Sequence, residues 1–378
     1  MKTLLPASLL FLIACHSFSQ GDLNPPPGPP APTMKTLDQV EARTPVDAAH
    51  TPGDATSLFV ISAPGSYFLT GNITGVSGLD GIRIASSDVT LDLNGFAVSG
   101  GAGTGNGIIT TEVRNVTVRQ GTVRAWAKTG VDASLASNSV CDQVRASNNG
   151  TGGVNFGSGI SFGFGCVITR CAAMGNSAIG IVENGGGAIT DCVAQGNGTS
   201  GFGDLYPGGS VFAHCAARAN TGTGFGSAGG STFTACTAQG NTGNGFGAGS
   251  DATVTGCTAT GNSTGIFCVN TSTISNCTVT RNRDDGINTF GSCFILQNTV
   301  CVNGTDGSGD GIRTIEAGNR IDGNITNSNA FRGIRSTSGD VITRNTSLSN
   351  SAGAYAPGTS SIGPIGSPAT ATSPWANF

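Results

Sequence analysis

Phe233-Thr234-Ala235-Cys236-Thr237-Ala238-Gln239-Gly240-Asn241-Thr242-Gly243-Asn244-Gly245-Phe246 is one unit of a repeat, and the next unit begins at Val254-Thr255-Gly256-Cys257. Outward from it, Cys171, Cys192, Cys215, Cys236, Cys257 and Cys277 recur at intervals of 21, 23, 21, 21 and 20 residues, and Asn298 takes the next slot. Five residues after each slot stands an asparagine, at 176, 197, 220, 241, 262, 282 and 303. Gly with Ile or Phe follows at 180, 201, 224, 245, 265 and 286. Three residues before the slot come Ile189, Phe212, Phe233, Val254, Ile274 and Ile295. A fixed period of this length is the mark of a solenoid, whose units bury their apolar faces only against neighbours.

Gly, Thr, Ser and Asn dominate the units and disfavour helix interiors. In Ala252-Thr253-Val254 and again in Cys257-Thr258-Ala259, small or apolar residues alternate with Thr, the period-two pattern of a strand with one buried face. The phase slips between Val254 and Cys257, so the chain bends there, and a third strand starts at the glycine. The sequence thus predicts an all-β, single-stranded parallel β-helix with three short strands per coil. Stacking sets like residues about 4.7–4.9 Å apart. The asparagines then form a corner ladder, with left-handed backbone expected at the asparagines themselves. Phe202, Phe225 and Phe246 form an internal stack, with small Ala and Cys opposite.

These repeats, together with Asp88-Val89-Thr90-Leu91-Asp92-Leu93-Asn94-Gly95-Phe96, resemble the right-handed parallel β-helix superfamily with pectate-lyase-like folds, in particular its secreted bacterial repeat proteins of undefined activity. The resemblance covers roughly residues 58–350. It implies right-handed coiling, which the usual crossover rule also favours. It does not imply one activity, because this fold hosts lyases, hydrolases, epimerases and adhesins.

Glycine corners from Gly81 to Gly333 number 12, giving about 12 coils. Residues 1–19 read as a signal peptide: Lys2, an apolar run from Leu4 to Ala14, then Ser17-Phe18-Ser19. Leu12-Ile13-Ala14-Cys15 also resembles a lipobox, which would place a lipid anchor on Cys15. Both readings imply a secreted, periplasmic or cell-envelope location, and the apolar run is too short for a membrane span. Residues 20–57 are a Pro-rich leader with a short helix expected at 34–42. Leu58–Ile61 and Gly65–Leu69 read as a closing hairpin, and 351–378 as a cap or tail with Tyr355 and Trp375 as apolar plugs. The regular cysteine column favours buried thiols over disulfides, and any bridge should involve Cys166, Cys268, Cys293 or Cys301.

Net charge is −4 with 11% charged residues, which offers nucleic acid no basic surface. Charge is nevertheless uneven: residues 145–280 carry seven charged side chains and 281–344 carry fourteen. Asp285 and Asp310 both precede a corner glycine and should stack in one column. Arg313 and Arg335 share the slot two residues after their glycines. With Asp284 and Arg283 beside them, these are the candidate catalytic carboxylates (Asp284, Asp285, Asp310) and substrate-binding arginines (Arg283, Arg313, Arg335). Paired carboxyls could hydrolyse a glycoside; calcium with arginine could support elimination from a uronate. The Asn-Thr-Asp and Gly-His-Gly motifs of polygalacturonases are absent, and no cofactor motif is evident. The alternative is a salt-bridged ladder on a solvated face. The sequence therefore favours a polysaccharide- or cell-surface-glycan-binding or structural protein, with a lyase or hydrolase of uronic-acid polymers as the second reading. His214 falls in an outward column with Arg170, Asp191 and Asn276 and reads as a surface residue.

Overall fold

A computed structural model describes residues 43–152, 157–204, 208–367 and 372–378. The signal, lipobox and short-helix expectations lie outside these residues. The rest is an all-β, right-handed parallel solenoid. Its first face is a ladder of fourteen strands, each beginning at a glycine corner except at the two ends. Ser57–Ile61 and Tyr355–Ala356 are those end rungs, and they bring the twelve glycine corners to fourteen rungs. The second and third faces are ladders joined at a single kink, and Thr117–Arg124 and Val140–Ser147 run through it as continuous strands. At one rung per 4.7–4.9 Å the fourteen rungs extend about 60 Å.

The expected closing hairpin does not form. Ser57–Ile61 pairs in parallel with Asp80–Ile84 on the first face, whereas Gly65–Phe68 pairs in parallel with Val89–Asp92 on the second. Two successive strands of one coil point their edges to different ladders, so they cannot pair with each other. The Ser361–Ile362 strand still pairs with Val341–Thr343, so regular pairing persists into the last segment.

The two corners that flank the third face use the same device. One residue takes left-handed backbone, and the next side chain turns inward to bond the neighbouring rung. The left-handed positions are Gly175, Gly196, Ala219, Gly240, Gly261, Arg281 and Val302 at one corner, with φ between 50° and 68°. Each stands immediately before a ladder asparagine, so the strain falls one residue ahead of where it was expected. At the other corner Arg170, Asp191, His214, Ala235, Gly256 and Asn276 do the same ahead of the cysteines. Their side chains point outward, which explains the exposed column that includes His214.

The asparagine ladder runs from Asn149 to Asn350. Asn220 is typical: its backbone N–H and Nδ2 both donate to Asn241 Oδ1, at 3.0 and 2.9 Å, and Nδ2 also donates to the Ala194 carbonyl at 3.1 Å. The ladder amides are thereby hydrogen-bonded in a buried interior, where an unpaired one would be costly. The cysteines fill the equivalent place with sulfur. The Cys171 N–H donates to Cys192 Sγ at 3.3 Å, and Cys192 Sγ lies 3.1 Å from the Thr190 carbonyl. The column then changes chemistry without changing geometry: the Cys277 N–H donates to Asn298 Oδ1 at 2.9 Å. All eleven described cysteines are free thiols, including the four singled out for bridging.

Inside, Phe202, Phe225 and Phe246 stack at 4.8 and 4.9 Å between ring centroids. A second stack, Phe212 on Phe233 at 4.8 Å, meets the first edge-on at 5.7–6.3 Å. Aromatic rings thus oppose aromatic rings there, while Ala217 and Ala238 line the third side. A different substitution occurs at Gly187, where a Cβ would come within 2.5 Å of Glu183 Oε1. The buried Glu183 carboxylate takes over the missing corner group, accepting the Cys166 N–H at 3.3 Å, the Gly185 N–H at 2.8 Å and the Ser210 hydroxyl at 2.5 Å.

Candidate functional site

The corner preceding the first face sets the charged cluster. Its residue before the glycine turns inward, and its side-chain oxygen accepts the N–H of the same position one rung on. Asp80 accepts from Asn106 at 2.6 Å, and Asn106 from Thr129 at 3.1 Å. Asp285 Oδ1 accepts from Asp310 N–H at 2.9 Å, and Asp310 Oδ1 from Arg332 N–H at 3.1 Å. The other oxygens face guanidinium groups: Arg313 lies 3.6 Å from Asp285 Oδ2, and Arg335 lies 3.6 Å from Asp310 Oδ2. Asn288 Nδ2 adds a bond to Asp285 Oδ2 at 3.0 Å.

The structure therefore unites Asp285, Asp310, Arg313 and Arg335, and it pairs Arg313 with Arg335 in register. Asp284 stands apart and exposed, accepting the Ser263 hydroxyl at 2.9 Å. Arg283 also leaves the cluster, donating to the Thr242 carbonyl. The two central carboxyls are themselves buried. Burial pushes both above the ordinary carboxylate range, against the lowering effect of the backbone N–H donors and arginines. This donor set does not suit calcium, which takes six to eight oxygens: each Oδ1 already holds an N–H, and each Oδ2 faces an arginine. Among the described residues no group of three or more His, Cys, Asp or Glu is placed to hold a metal.

A second cluster, on the outer side of the second face, escaped the sequence reading. Asp322 is buried between two exposed arginines. Arg344 Nε donates to its Oδ1 at 2.7 Å, Arg344 Nη2 and Arg320 Nη2 donate to Oδ2, the latter at 2.9 Å, and the Thr343 hydroxyl reaches Oδ1 at 3.2 Å. The guanidinium of Arg344 holds the Asp322 carboxyl below the ordinary range. Two cavities of about 620 and 550 Å³ open over this cluster and meet at Arg320. Trp375 walls one of them and is 52% exposed, so it is no plug. The plug is Asn377, whose Oδ1 accepts the Asn345 N–H at 2.9 Å and so continues the Cys/Asn column.

Stacked thiols, amides and phenyl rings on three parallel ladders define the chain as a right-handed parallel β-helix protein. A family model described as a right handed beta helix region matches residues 158–301. Among solved structures, the A-modules of the Azotobacter vinelandii mannuronan C-5 epimerases AlgE6 and AlgE4 share the fold. Each is 17% identical with a TM-score of 0.55; the matches cover 80% and 79% of this chain and 90% and 91% of those chains. No curated protein sequence matches the chain. No described helix is long and apolar enough to cross a membrane.

Proposed function

We propose that the protein is an exported β-helix module that binds an acidic polysaccharide along its outer surface without cleaving it at the Asp285–Asp310 cluster. The observation that carries this reading is the employment of both carboxyls. Each spends one oxygen on the next rung's backbone and turns the other toward an arginine, as a corner ladder requires. The leading twenty residues support export. The fold shared with modules of mannuronan epimerases supports a polyuronate as the polymer class. The test is incubation with mannuronan, pectate and neutral glycans, following retention in affinity electrophoresis alongside unsaturated products and new reducing ends. Retention by polyuronates without new ends supports the reading; absence of retention on every polyuronate refutes it.

A lyase or hydrolase is the second reading, and one observation favours it. The carboxyls of Asp285 and Asp310 are raised by burial, as a general acid requires. Turnover that disappears in Asp285→Asn or Asp310→Asn would establish that reading instead.

A further inference from the structure

We infer that the groove across the last rungs of the second face, floored by Arg320 and Arg344 and walled by Trp375, is a subsite for a carboxylated sugar residue. This deepens the proposed function and rests on it. The floor has an excess of positive charge: two arginines share the single carboxylate of Asp322. Their forks are only partly used. Arg344 bonds Asp322 through Nε and Nη2, and Arg320 through Nη2. That leaves Arg344 Nη1 and Arg320 Nε and Nη1 available, and the two side chains are 49% and 47% exposed. A guanidinium in this state prefers a planar carboxylate, which it can bond through two parallel N–H groups.

The aromatic wall supplies the second half of the recognition. Trp375 lies 5.6 Å from the Arg344 guanidinium and presents its indole to solvent, and Phe294 lines the far part of the groove at 48% exposure. A large exposed ring is normally a liability unless it meets a partner with an apolar face. A pyranose has such a face, and its carboxylate lies in reach of a neighbouring cation. The indole is also held in place. Two residues on, Asn377 is locked into the core column through Asn345 and the Ile342 carbonyl, and the Phe378 N–H donates to the Asn345 carbonyl at 2.8 Å. The binding wall is therefore fixed by the same ladder that closes the solenoid, which keeps the ordering cost of binding low.

The chain has two tryptophans, and Trp126 is fully buried. Trp126 emits as well but is shielded from solvent, so a change in emission on adding ligand reports on Trp375. Titration with a mannuronate hexasaccharide should quench or shift the emission, with an apparent affinity that weakens as salt rises. A neutral mannose hexasaccharide should leave it unchanged. By calorimetry, Trp375→Ala and Arg320→Gln should each weaken hexasaccharide binding at least tenfold. Both positions are exposed, so unchanged melting temperatures will verify the fold. If the hexasaccharide binds the wild type and both variants equally, the subsite is wrong while the polyuronate reading stands. If neither mannuronate nor galacturonate oligomers bind the wild type, both fail. Equal binding of the neutral hexasaccharide would refute the carboxylate recognition.

Discussion

Arg313 does not pair with the aspartate of its own rung; it reaches back to Asp285 on the rung before, 3.6 Å away, and Arg335 repeats the offset with Asp310. The stagger alternates charge along the axis and so relieves the repulsion between two acids stacked in one column. It also directs the carboxyls toward structure, because each retains an oxygen for the next backbone N–H.

An amide can serve that backbone role, as Asn106 shows. Asp285→Asn and Asp310→Asn should therefore change stability by no more than about 1 kcal/mol at neutral pH. Denaturant melts would check this. Alanine at either position should cost more, since it strands the N–H of the next rung.

The acids also set a pH dependence whose sign differs between the clusters. Asp285 and Asp310 have raised carboxyls in the fold, so they bind protons more tightly folded than unfolded. Their contribution is present below the ordinary value of 3.8 and is lost as pH rises from there through the folded value. Asp322 is lowered, so its contribution is present above 3.8 and is lost as pH falls below it. In melts across pH, the doubly substituted Asp285→Asn, Asp310→Asn protein should lack the decline above 3.8. Asp322→Asn should lack part of the acid-side decline.

Val302 holds φ at 59°, where a β-branched side chain is strained, and it stands just before ladder residue Asn303. Most of its equivalents are smaller than valine, as Gly175, Gly196, Ala219, Gly240 and Gly261 are. It is also 42% exposed, so little burial is at stake. Val302→Gly should stabilise the protein by about 1 kcal/mol, and Ala219→Gly, which relieves less strain, should be near neutral. Thermal melts of the pair would separate the two effects.

The middle of the asparagine ladder should be its most sensitive part. Asn241→Ala would strand the Asn220 N–H in the core, remove one of the two bonds of Asn220 Nδ2 and take the Asn241 Nδ2 donor from the Ala217 carbonyl. A loss of about 3 kcal/mol or more follows. Asn350→Ala, at a half-buried end of the same ladder, should cost less; paired urea titrations would show the gradient.

Much of this architecture was legible because stacking turns position into period. Cys236, Asn241 and Phe246 each sit over their own kind, so the column is visible as spacing. The corner that opens the second face was not legible, because its slot is filled by Ser139, Cys166, Gly187, Ser210, Ser231, Ala252, Ser272, Cys293, Asn319 and Asp340 in turn. Ser139, Cys166, Ser272, Asn319 and Asp340 accept the N–H of the preceding slot with different atoms, and identity-based spacing misses them. The arginine–tryptophan groove was hidden for another reason. Trp375 reaches it from a tail in which Asn377 joins the column 32 residues after Asn345, well off the period. The acidic pair was placed correctly in one column, but burial and the N–H each carboxyl accepts depend on backbone geometry that no residue pattern states.

Calorimetric titration of mannuronan oligomers into wild-type protein and into the doubly substituted Asp285→Asn, Asp310→Asn protein, with product analysis of the same mixtures, decides whether the acidic pair is structural or catalytic. Equal, salt-sensitive binding by both proteins and no cleavage by either is the expected result. Wild-type turnover that the substitutions abolish would contradict it, as would failure of the wild type to bind.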